Sequence, residues 1–526
     1  MPKLKLATTG FTRANLAFFA LFAVFWLTIY RYQLNPDAIA YISVAERYLR
    51  GDFWQAVSTY WSPLFSWLLT PLLALGAPTL ATTKALCVMI SALSIFATDR
   101  LAGRMGVSLE RRRYLVWVLI PVAVYFGLSV TTPDLLMTTI LLFYLSIIAS
   151  NDYAENKRAG LWCGLLGGAA YLTKTYAFFY FFGHFTFATA LLFWLHRKRP
   201  ARFTVLRHYG TGLLVFAAIS CAWMGVMAKK YGTFSVGITG GYNMKLAAPG
   251  AQGHPMSWIG LVEPPPYKHA YSIWDDPWYQ MHLVPNWNPL QSLEALRHEY
   301  LVVKKNAEGF VKIQNGFNPL WLAALLAFIA VGLFTRQGAI SAGGAVILFA
   351  YVLFPAGYLP VLLNDERYVL LNLFLVFVMT GMVLDRLFLA PEFKHATVRR
   401  VFLALLALTF LVHPLLYLRE NRSDGRWAFD TGTALKNEYK VSGRVASNCC
   451  WDQANAANFH LGARYVGKVK DGESLNSTLK TLREHKVDYY FHFYPNHDDY
   501  KALKSMFPEI TQQRLGFGVF DLNSPR

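Results

Sequence analysis

Apolar runs that approach the width of a bilayer recur through most of this 526-residue chain, and they limit its fold more than any other feature. An α-helix needs about 20 predominantly apolar residues to cross the hydrocarbon core. Charged residues make up 15% of the chain, well below the roughly 25% that is usual in soluble domains. The sequence therefore predicts a polytopic α-helical membrane protein with about eleven spans, at residues 15–32, 82–99, 114–131, 133–150, 160–175, 176–195, 209–228, 318–335, 338–357, 367–386 and 400–418.

Basic residues are concentrated in four clusters between these runs, and the clusters orient the helices. The positive-inside rule puts such clusters in the cytoplasm. We therefore expect a multi-pass protein of the plasma (inner) membrane, with the N-terminus and the loops 151–160 and 336–338 inside and the C-terminus outside. This placement accounts for much of the net charge of +19 and predicts no nucleic-acid partner. The clusters are Lys3, Lys5 and Arg13; Arg100, Arg104 and Arg111 to Arg113; Arg197, Lys198, Arg199, Arg202 and Arg207; and Arg386, Lys394, Arg399 and Arg400.

The orientation divides the chain into a transmembrane module, residues 1–418, and an extracytoplasmic tail, residues 419–526. Two long segments of the module, 33–82 and 231–318, fall outside. Within the first, we expect a helix at 38–50, and an apolar stretch at 63–75 that is too short to span and predicts a helix along the outer interface. The tail alternates strands and helices, which favours a parallel sheet in a small α/β domain. Its predicted strands are 444–446, 464–469, 488–494 and 516–522, and its predicted helices are 474–485 and 498–507.

Three acidic residues, Asp37, Asp134 and Glu366, each lie next to a predicted span. The topology places all three on the outer face, and acids at such positions are costly to keep without a function. Helix capping is the alternative role at two of these positions. Asp37 would suit the N-cap of the helix that follows it, and either Asp134 or Thr132 would suit the N-cap of the next span. We predict that the three acids belong to an active site at the membrane surface.

Basic residues at the same predicted face supply candidates for phosphate binding. Arg367 offers a planar, bidentate fork, and Lys174 lies between two apolar helices with little room for a solvated loop. Lys84 is a further candidate. The alternatives are an interfacial pair of Arg367 with Glu366, and lysine side chains that snorkel to the interface.

Aromatic and amide side chains complete the predicted substrate site, and the cysteines contribute little. The substrate-binding candidates are Tyr41, Trp61, Tyr242, Asn243 and Tyr368, whereas tryptophans of the long outer segment suit sugar stacking or interfacial anchoring equally well. The adjacent Cys449 and Cys450 of the tail form either a vicinal disulfide or two free thiols.

Carboxylates and cations at a membrane surface suit one kind of chemistry. A sugar attached to a lipid phosphate is attacked at its anomeric carbon by an acceptor, a carboxylate acts as the base, and cations stabilise the departing phosphate. Displacement in one step would invert the anomeric centre.

Five short motifs resemble those of the GT-C class of membrane glycosyltransferases, in the style of protein O-mannosyltransferases and lipid A aminoarabinose transferases. The similarity covers roughly residues 16–386. The resemblance implies a GT-C-like fold, a polyprenyl-phosphate-linked monosaccharide as donor, and a glycan, lipid or protein as acceptor. The motifs are Asp37-x-x-x-Tyr41, Trp61-Ser62-Pro63-Leu64, Thr132-Pro133-Asp134, Leu172-Thr173-Lys174 and Glu366-Arg367-Tyr368.

By the same resemblance, Asp37 takes the role of the first-loop aspartate and base, Asp134 the second acidic position, and Arg367 or Lys174 the phosphate. Several members carry two adjacent acids in the first loop, whereas Ala38 follows Asp37 here. A bound divalent metal is therefore left open. Two other functions also stay open: a transporter or flippase for a polyprenyl-phosphate-linked or other anionic lipid, and a non-catalytic assembly protein.

Overall fold

The computed structural model describes residues 9–198, 200–250, 253–333 and 341–525. Among these residues, seven helices are long and apolar enough to cross a membrane, or eight if one pair that is bent by 97° counts as a single span. Three further predicted spans are helical but shorter. Every predicted span therefore contains a helix, while the number of crossings stays a prediction. Lys3, Lys5, Arg199 and the loop 336–338, used above to orient the chain, lie outside the described residues.

Twenty α-helices, numbered α1 to α20 in chain order, make up most of the described chain. They are Arg13–Tyr30, Pro36–Leu49, Phe53–Ala56, Leu64–Leu73, Thr79–Arg104, Leu109–Ser129, Asp134–Ile148, Ala159–Thr173, Tyr176–Leu195, Ala201–Tyr231, Thr239–Leu246, Leu293–Phe317, Trp321–Ala327, Ala342–Ala356, Leu370–Leu387, Ala396–Glu420, Arg426–Asn437, Trp451–Leu461, Leu475–Glu484 and Asp498–Met506. Short 3-10 turns lie at Pro255–Ser257, Ile273–Asp275, Pro277–Leu283, Glu366–Val369 and Pro391–Phe393, and Phe328–Gly332 is a π-helical turn.

Small residues bring α8 and α10 into direct backbone contact within the bundle. A Cβ atom added at Gly160 would lie 2.3 Å from the carbonyl oxygen of His208, and one added at Gly164 would lie 2.3 Å from that of Gly212. Close approach at glycine is a common way for membrane helices to associate, because apolar burial alone does not favour protein over lipid. The N-terminal half of α8 is therefore held directly against α10.

Ion pairs collect at the bundle end that carries the predicted cytoplasmic clusters. Arg112 Nη2 lies 2.7 Å from Asp99 Oδ2, and the backbone N–H of Gly10 donates to the same carboxylate. Arg104 lies 2.9 Å from Asp152. The structure therefore brings Gly10, which lies just before Arg13, to Arg112 of the second basic cluster at one end of the bundle.

The tail forms the small α/β domain that the sequence predicts, with one difference in its sheet. Its strands β1 to β4 are Arg444–Ser447, Arg464–Lys468, Tyr489–His492 and Gly518–Asp521. Their order in the sheet is β2-β1-β3-β4, where the first three strands are parallel and β4 pairs antiparallel with β3. The prediction of a parallel sheet was therefore wrong for β4, which follows α20 and returns along its neighbour. Two helices, α17 and α18, were not predicted.

The tail and the second outer segment are hydrogen-bonded to each other. The N–H of Val262 donates to the carbonyl of Val466 over 2.8 Å, and the N–H of Tyr465 donates to the carbonyl of Tyr271 over 2.7 Å. The segment that follows α10 thus lies against the edge strand β2.

A disulfide joins Cys449 to Cys450 just after β1, which decides between a vicinal disulfide and two free thiols in favour of the disulfide.

The first outer segment packs α4 against α2. The hydroxyl of Ser66 donates to the carbonyl of Tyr41 over 2.8 Å, and Phe65 is fully buried. The predicted helices at 38–50 and 63–75 are thus present as Pro36–Leu49 and Leu64–Leu73. The interfacial position of α4 stays a prediction.

Candidate active site

A cavity of about 430 Å³ opens at the end of the bundle near the tail. Residues from six separate parts of the chain line it, because the turns before α2, α7 and α9 and the 3-10 turn before α15 meet there. Eight of the eleven predicted site residues are among them. These are Asp37, Tyr41, Trp61, Asp134, Lys174, Asn243, Arg367 and Tyr368.

Asp37 is held by two donors from distant parts of the chain. Arg367 Nη1 donates to Asp37 Oδ2 over 2.7 Å, and the indole Nε1–H of Trp274 donates to Oδ1 over 3.1 Å. Burial raises the pKa of this carboxyl, but the charge and hydrogen bond of Arg367 and the bond from Trp274 outweigh burial and lower the pKa below its usual value. Asp37 is therefore an ionised carboxylate in the resting site.

The capping role considered for Asp37 is not what the structure shows. The N-cap of α2 is Asn35, and Pro36 occupies the first helical position, where its missing N–H costs nothing. The side chain of Asn35 accepts a hydrogen bond from the N–H of Thr131 over 3.1 Å. This contact ties the segment before Asp37 to the turn before Asp134, so the two acids are positioned together.

Asp134 forms the second acid–cation pair of the cavity. Its side chain is 2% exposed and pairs with the ammonium group of Lys174. Lys174 has extended backbone between α8 and α9, and its Nζ lies 5.0 Å from the ring centre of Tyr368. No side-chain hydrogen bond caps α7, so neither Asp134 nor Thr132 has the capping role considered for it.

Arg367 contacts three different groups around the cavity. Besides Asp37, it donates to the hydroxyl of Tyr368 over 3.1 Å, and its Nε lies 3.5 Å from Asp365. The 3-10 turn Glu366–Val369 directs Arg367 and its neighbour Glu366 to different places. The interfacial pair of Glu366 with Arg367 is therefore not formed.

Three predicted site residues do not line this cavity. Glu366 faces a second cavity, where it accepts a hydrogen bond from Tyr125. Lys84 is fully buried and donates to Gln33 and to the hydroxyl of Thr131. Tyr242 is buried behind Tyr60, where its hydroxyl accepts from Gln280.

Two residues of the second outer segment lie near Asp37: Trp274, which the sequence suggested only as a stacking or anchoring side chain, and His254, which was not predicted. The ring of His254 lies 4.4 Å from that of Trp274 and stacks on Trp451 of the tail at 4.3 Å. Burial and the charge of Arg367 lower the pKa of His254 to about 4, although Asp37 favours its protonation. The only signal in the sequence was the density of tryptophan in this segment, which indicated stacking or anchoring but no contact with an acid.

The acids of the cavity do not fit a bound divalent metal. Within the described ranges, no group of three or more His, Cys, Asp or Glu residues is arranged to hold a metal ion. Each of the two cavity carboxylates is instead neutralised by a cationic side chain, Arg367 or Lys174. No step below is routed through a metal.

No protein-family model matches the sequence, and no curated protein matches it. Solved structures do match its fold. ArnT from Cupriavidus metallidurans is 13% identical in the apo state, with a TM-score of 0.57 over 96% of this chain and 98% of that one. The same protein bound to undecaprenyl phosphate is 11% identical, with a TM-score of 0.59 over 97% and 98%.

An archaeal enzyme is also similar over most of this chain. The apo oligosaccharyltransferase of Archaeoglobus fulgidus is 12% identical, with a TM-score of 0.54 over 91% of this chain and 69% of that one. At such low identity the likeness establishes architecture, and it agrees with the resemblance seen in the five short motifs. The chain has the fold of the GT-C glycosyltransferases.

Proposed function

We propose that this protein is a glycosyltransferase that moves a monosaccharide from a polyprenyl-phosphate donor to a glycan, lipid or protein acceptor on the outer face of the membrane. One observation carries the proposal. Two acid–cation pairs, Asp37 with Arg367 and Asp134 with Lys174, line a single cavity at one end of a helix bundle.

The cavity suits an amphiphile with an anionic head. Around the two pairs it is lined by aromatic and aliphatic side chains, among them Phe179, Val361 and Leu362. Such a mainly apolar site with a few placed charges orients a ligand by its head group. Arg367 can add a phosphate to its present contacts, because a guanidinium has five N–H donors and a fork geometry that matches phosphate oxygens.

The proposed reaction is a single displacement at the anomeric carbon. The acceptor oxygen or nitrogen forms the new bond to this carbon as the bond to the phosphate oxygen breaks. Asp37 takes the acceptor's proton, and the lipid phosphate leaves with the electron pair, held by Arg367 and Lys174. Attack opposite to the leaving group inverts the anomeric configuration.

The resting pair prepares Asp37 for this role. A carboxylate held by Arg367 and Trp274 is ionised and oriented, but it is a weak base. A donor phosphate that accepts hydrogen bonds from Arg367 would weaken the interaction of Arg367 with Asp37 and so raise the basicity of the carboxylate. Donor binding would then activate the base only when a leaving group is present.

The fold comparison supports the class of donor. The Cupriavidus ArnT structure of the same architecture contains undecaprenyl phosphate. The Archaeoglobus protein is an oligosaccharyltransferase, which broadens the range of sugars and acceptors that this architecture serves.

The test uses membranes that contain the protein and a panel of radiolabelled polyprenyl-phosphate monosaccharides. We expect transfer of label to an acceptor, or slow hydrolysis of the donor, by the wild type. Asp37→Asn should abolish both at an equal amount of protein. Asp430→Asn is the matched control, because Asp430 is an exposed acid of the tail that pairs with Arg426 one helical turn away.

Two outcomes would overturn parts of the proposal. Full activity of the Asp37→Asn protein would remove Asp37 from the role of base. Binding of the labelled donors without turnover, together with their movement across the membrane, would favour the transporter or flippase instead.

A further inference from the structure

A second cavity, of about 310 Å³, lies behind the first. Thr132 and Arg367 line both, so these two side chains form the wall between them. The remaining lining comes largely from the C-terminal half of α6, the turn Glu366–Val369 and α16. The proposed reaction assigns nothing to this space.

Glu366 is the central polar group of the second cavity. Its Oε2 accepts from the hydroxyl of Tyr125 over 2.8 Å, and its Oε1 lies 2.6 Å from Nε2 of His413. Each carboxylate oxygen has two lone pairs, so both retain an acceptor site for a further donor. Glu366 is thus held in place and still able to bind a hydroxyl group.

Two hydroxyl groups supply complementary positions on the same wall. Ser129 is 3% exposed and Thr132 is 8% exposed, and both line the cavity. Neither hydroxyl oxygen is among the fully buried, unpartnered side-chain atoms of the described residues, so what exposure these residues retain is toward the cavity. Each hydroxyl can donate one hydrogen bond and accept another from a ligand or from solvent.

Aromatic rings provide the apolar part of the cavity. Phe126 and Tyr417 line it, and the ring centres of Tyr125 and Tyr417 are 5.1 Å apart. A carboxylate, two hydroxyls and ring faces match the alternating hydroxyl groups and C–H patches of a pyranose or furanose. A second phosphate fits poorly, because the carboxylates of Glu366 and Asp365 would repel it.

We propose that the second cavity is a saccharide-binding subsite in which Glu366, Ser129 and Thr132 bind ring hydroxyls. The assignment replaces the catalytic role that the sequence suggested for Glu366. It rests on the proposed function in one respect, since the bound ring would belong either to the acceptor or to the donor. Thr132 and Arg367 would then bring that ring to the edge of the first cavity.

The direct test measures binding of methyl glycosides of glucose, mannose and galactose to the purified protein in detergent by saturation-transfer NMR. We expect saturable binding of at least one glycoside, weakened about tenfold or more by Glu366→Gln, since a bond to a charged acceptor contributes about 1.5–3 kcal/mol. Glu392→Gln is the matched control, because Glu392 is exposed and lies near α16 away from both cavities.

Several outcomes would overturn the subsite. They are no saturable binding of any glycoside, undiminished binding by a folded Glu366→Gln protein, and binding of methyl glucosaminide alone, which would indicate a site for an amine. If Glu366→Gln does not fold, Ser129→Ala decides, because it removes one hydroxyl and leaves Glu366 in place. These binding measurements need no turnover. The subsite proposal can therefore be wrong while the glycosyltransferase proposal holds, and it can hold while the glycosyltransferase proposal is wrong.

Kinetics with the labelled donors then separate the two sources of the ring. Slower transfer by Glu366→Gln with unchanged donor hydrolysis would assign the subsite to the acceptor. A raised KM for donor hydrolysis would assign it to the donor sugar. If both reactions keep wild-type kinetics in this variant, the proposal that the subsite serves the reaction is wrong.

Discussion

Arg367 and Asp37 are 330 positions apart in the chain, yet Arg367 Nη1 lies 2.7 Å from Asp37 Oδ2. The pair joins the first turn of α2 to the turn that precedes α15. Asp37 follows Pro36 at the start of α2, where Asn35 is the N-cap. Arg367 lies in the 3-10 turn that Asp365 caps, so neither Asp37 nor Arg367 is occupied in helix capping. The ion pair is therefore a property of the assembled bundle, and most of the proposed chemistry depends on it.

Arg367→Lys should lower kcat/KM for donor turnover by about tenfold to a hundredfold. Lysine keeps the charge but cannot contact Asp37, Tyr368 and a phosphate at once, because it lacks the planar fork. The measurement is the initial rate of transfer at several donor concentrations, with Arg426→Lys as the control at an exposed pair. An unchanged kcat/KM would mean that charge alone suffices at this position.

Trp274→Phe should move the acidic limb of the pH–rate profile upward by roughly one pH unit. The indole N–H bonds to the ionised form of Asp37, so its loss raises the pKa of this carboxyl, and the base becomes protonated at a higher pH. Trp278→Phe is the matched control, since Trp278 belongs to the same segment and contacts Tyr231 instead. Superimposable profiles would show that the bond from Trp274 does not set the basicity of Asp37.

His254→Phe should remove part of the acid sensitivity of the fold. Because the pKa of His254 is lowered to about 4, the unfolded chain, with a pKa near 6.5, binds more protons between these values. The contribution of His254 to stability is therefore complete above about pH 6.5 and is lost as the pH falls toward 4, by about 2 kcal/mol at pH 5.

The measurement for His254 is Tm in detergent at pH 7 and at pH 5. The phenyl ring keeps stacking area beside Trp451, so the Tm of wild type should fall toward that of His254→Phe, or below it, on acidification. A difference in Tm that is equal at the two pH values would contradict the buried, neutral state of His254.

Gly164→Ala should lower the stability of the bundle by about 1–3 kcal/mol. The added Cβ would lie 2.3 Å from the carbonyl oxygen of Gly212 on α10, so the two helices must move apart. Gly210→Ala is the control on the same helix pair, because its Cβ would meet nothing within 4 Å, and alanine favours the helix. Equal Tm values for the two variants in detergent would contradict the close contact between α8 and α10.

Much of the fold could be predicted because hydrophobicity and charge act locally. Every predicted span contains a helix, and all six of the predicted strands and helices of the tail are present, because runs of apolar residues and strand–helix alternation need no partner to be recognised. The antiparallel direction of β4 and the helices α17 and α18 were not predicted, because strand direction and amphipathic packing depend on the neighbouring element.

The four charged residues that form the two acid–cation pairs of the cavity each lie beside a turn at the end of a helix. Asp37, Asp134, Lys174 and Arg367 meet because the turns before four helices meet. Sequence proximity misled at Glu366, because consecutive side chains of a 3-10 turn point in different directions. At Lys84, a cationic residue near a helix end was taken for a phosphate ligand, whereas it holds Gln33 and Thr131 inside the bundle.

The hydrogen bonds between the second outer segment and β2 have a consequence for biogenesis. Trp274 donates a hydrogen bond to Asp37. Its neighbour Tyr271 accepts a hydrogen bond from the N–H of Tyr465, and His254, which contacts the ring of Trp274, stacks on Trp451. Both contacts come from the tail, which follows the helices of the bundle in the chain and leaves the ribosome after them. The bundle can therefore insert helix by helix during translation, but the surroundings of Asp37 are finished only after the tail has docked on the second outer segment.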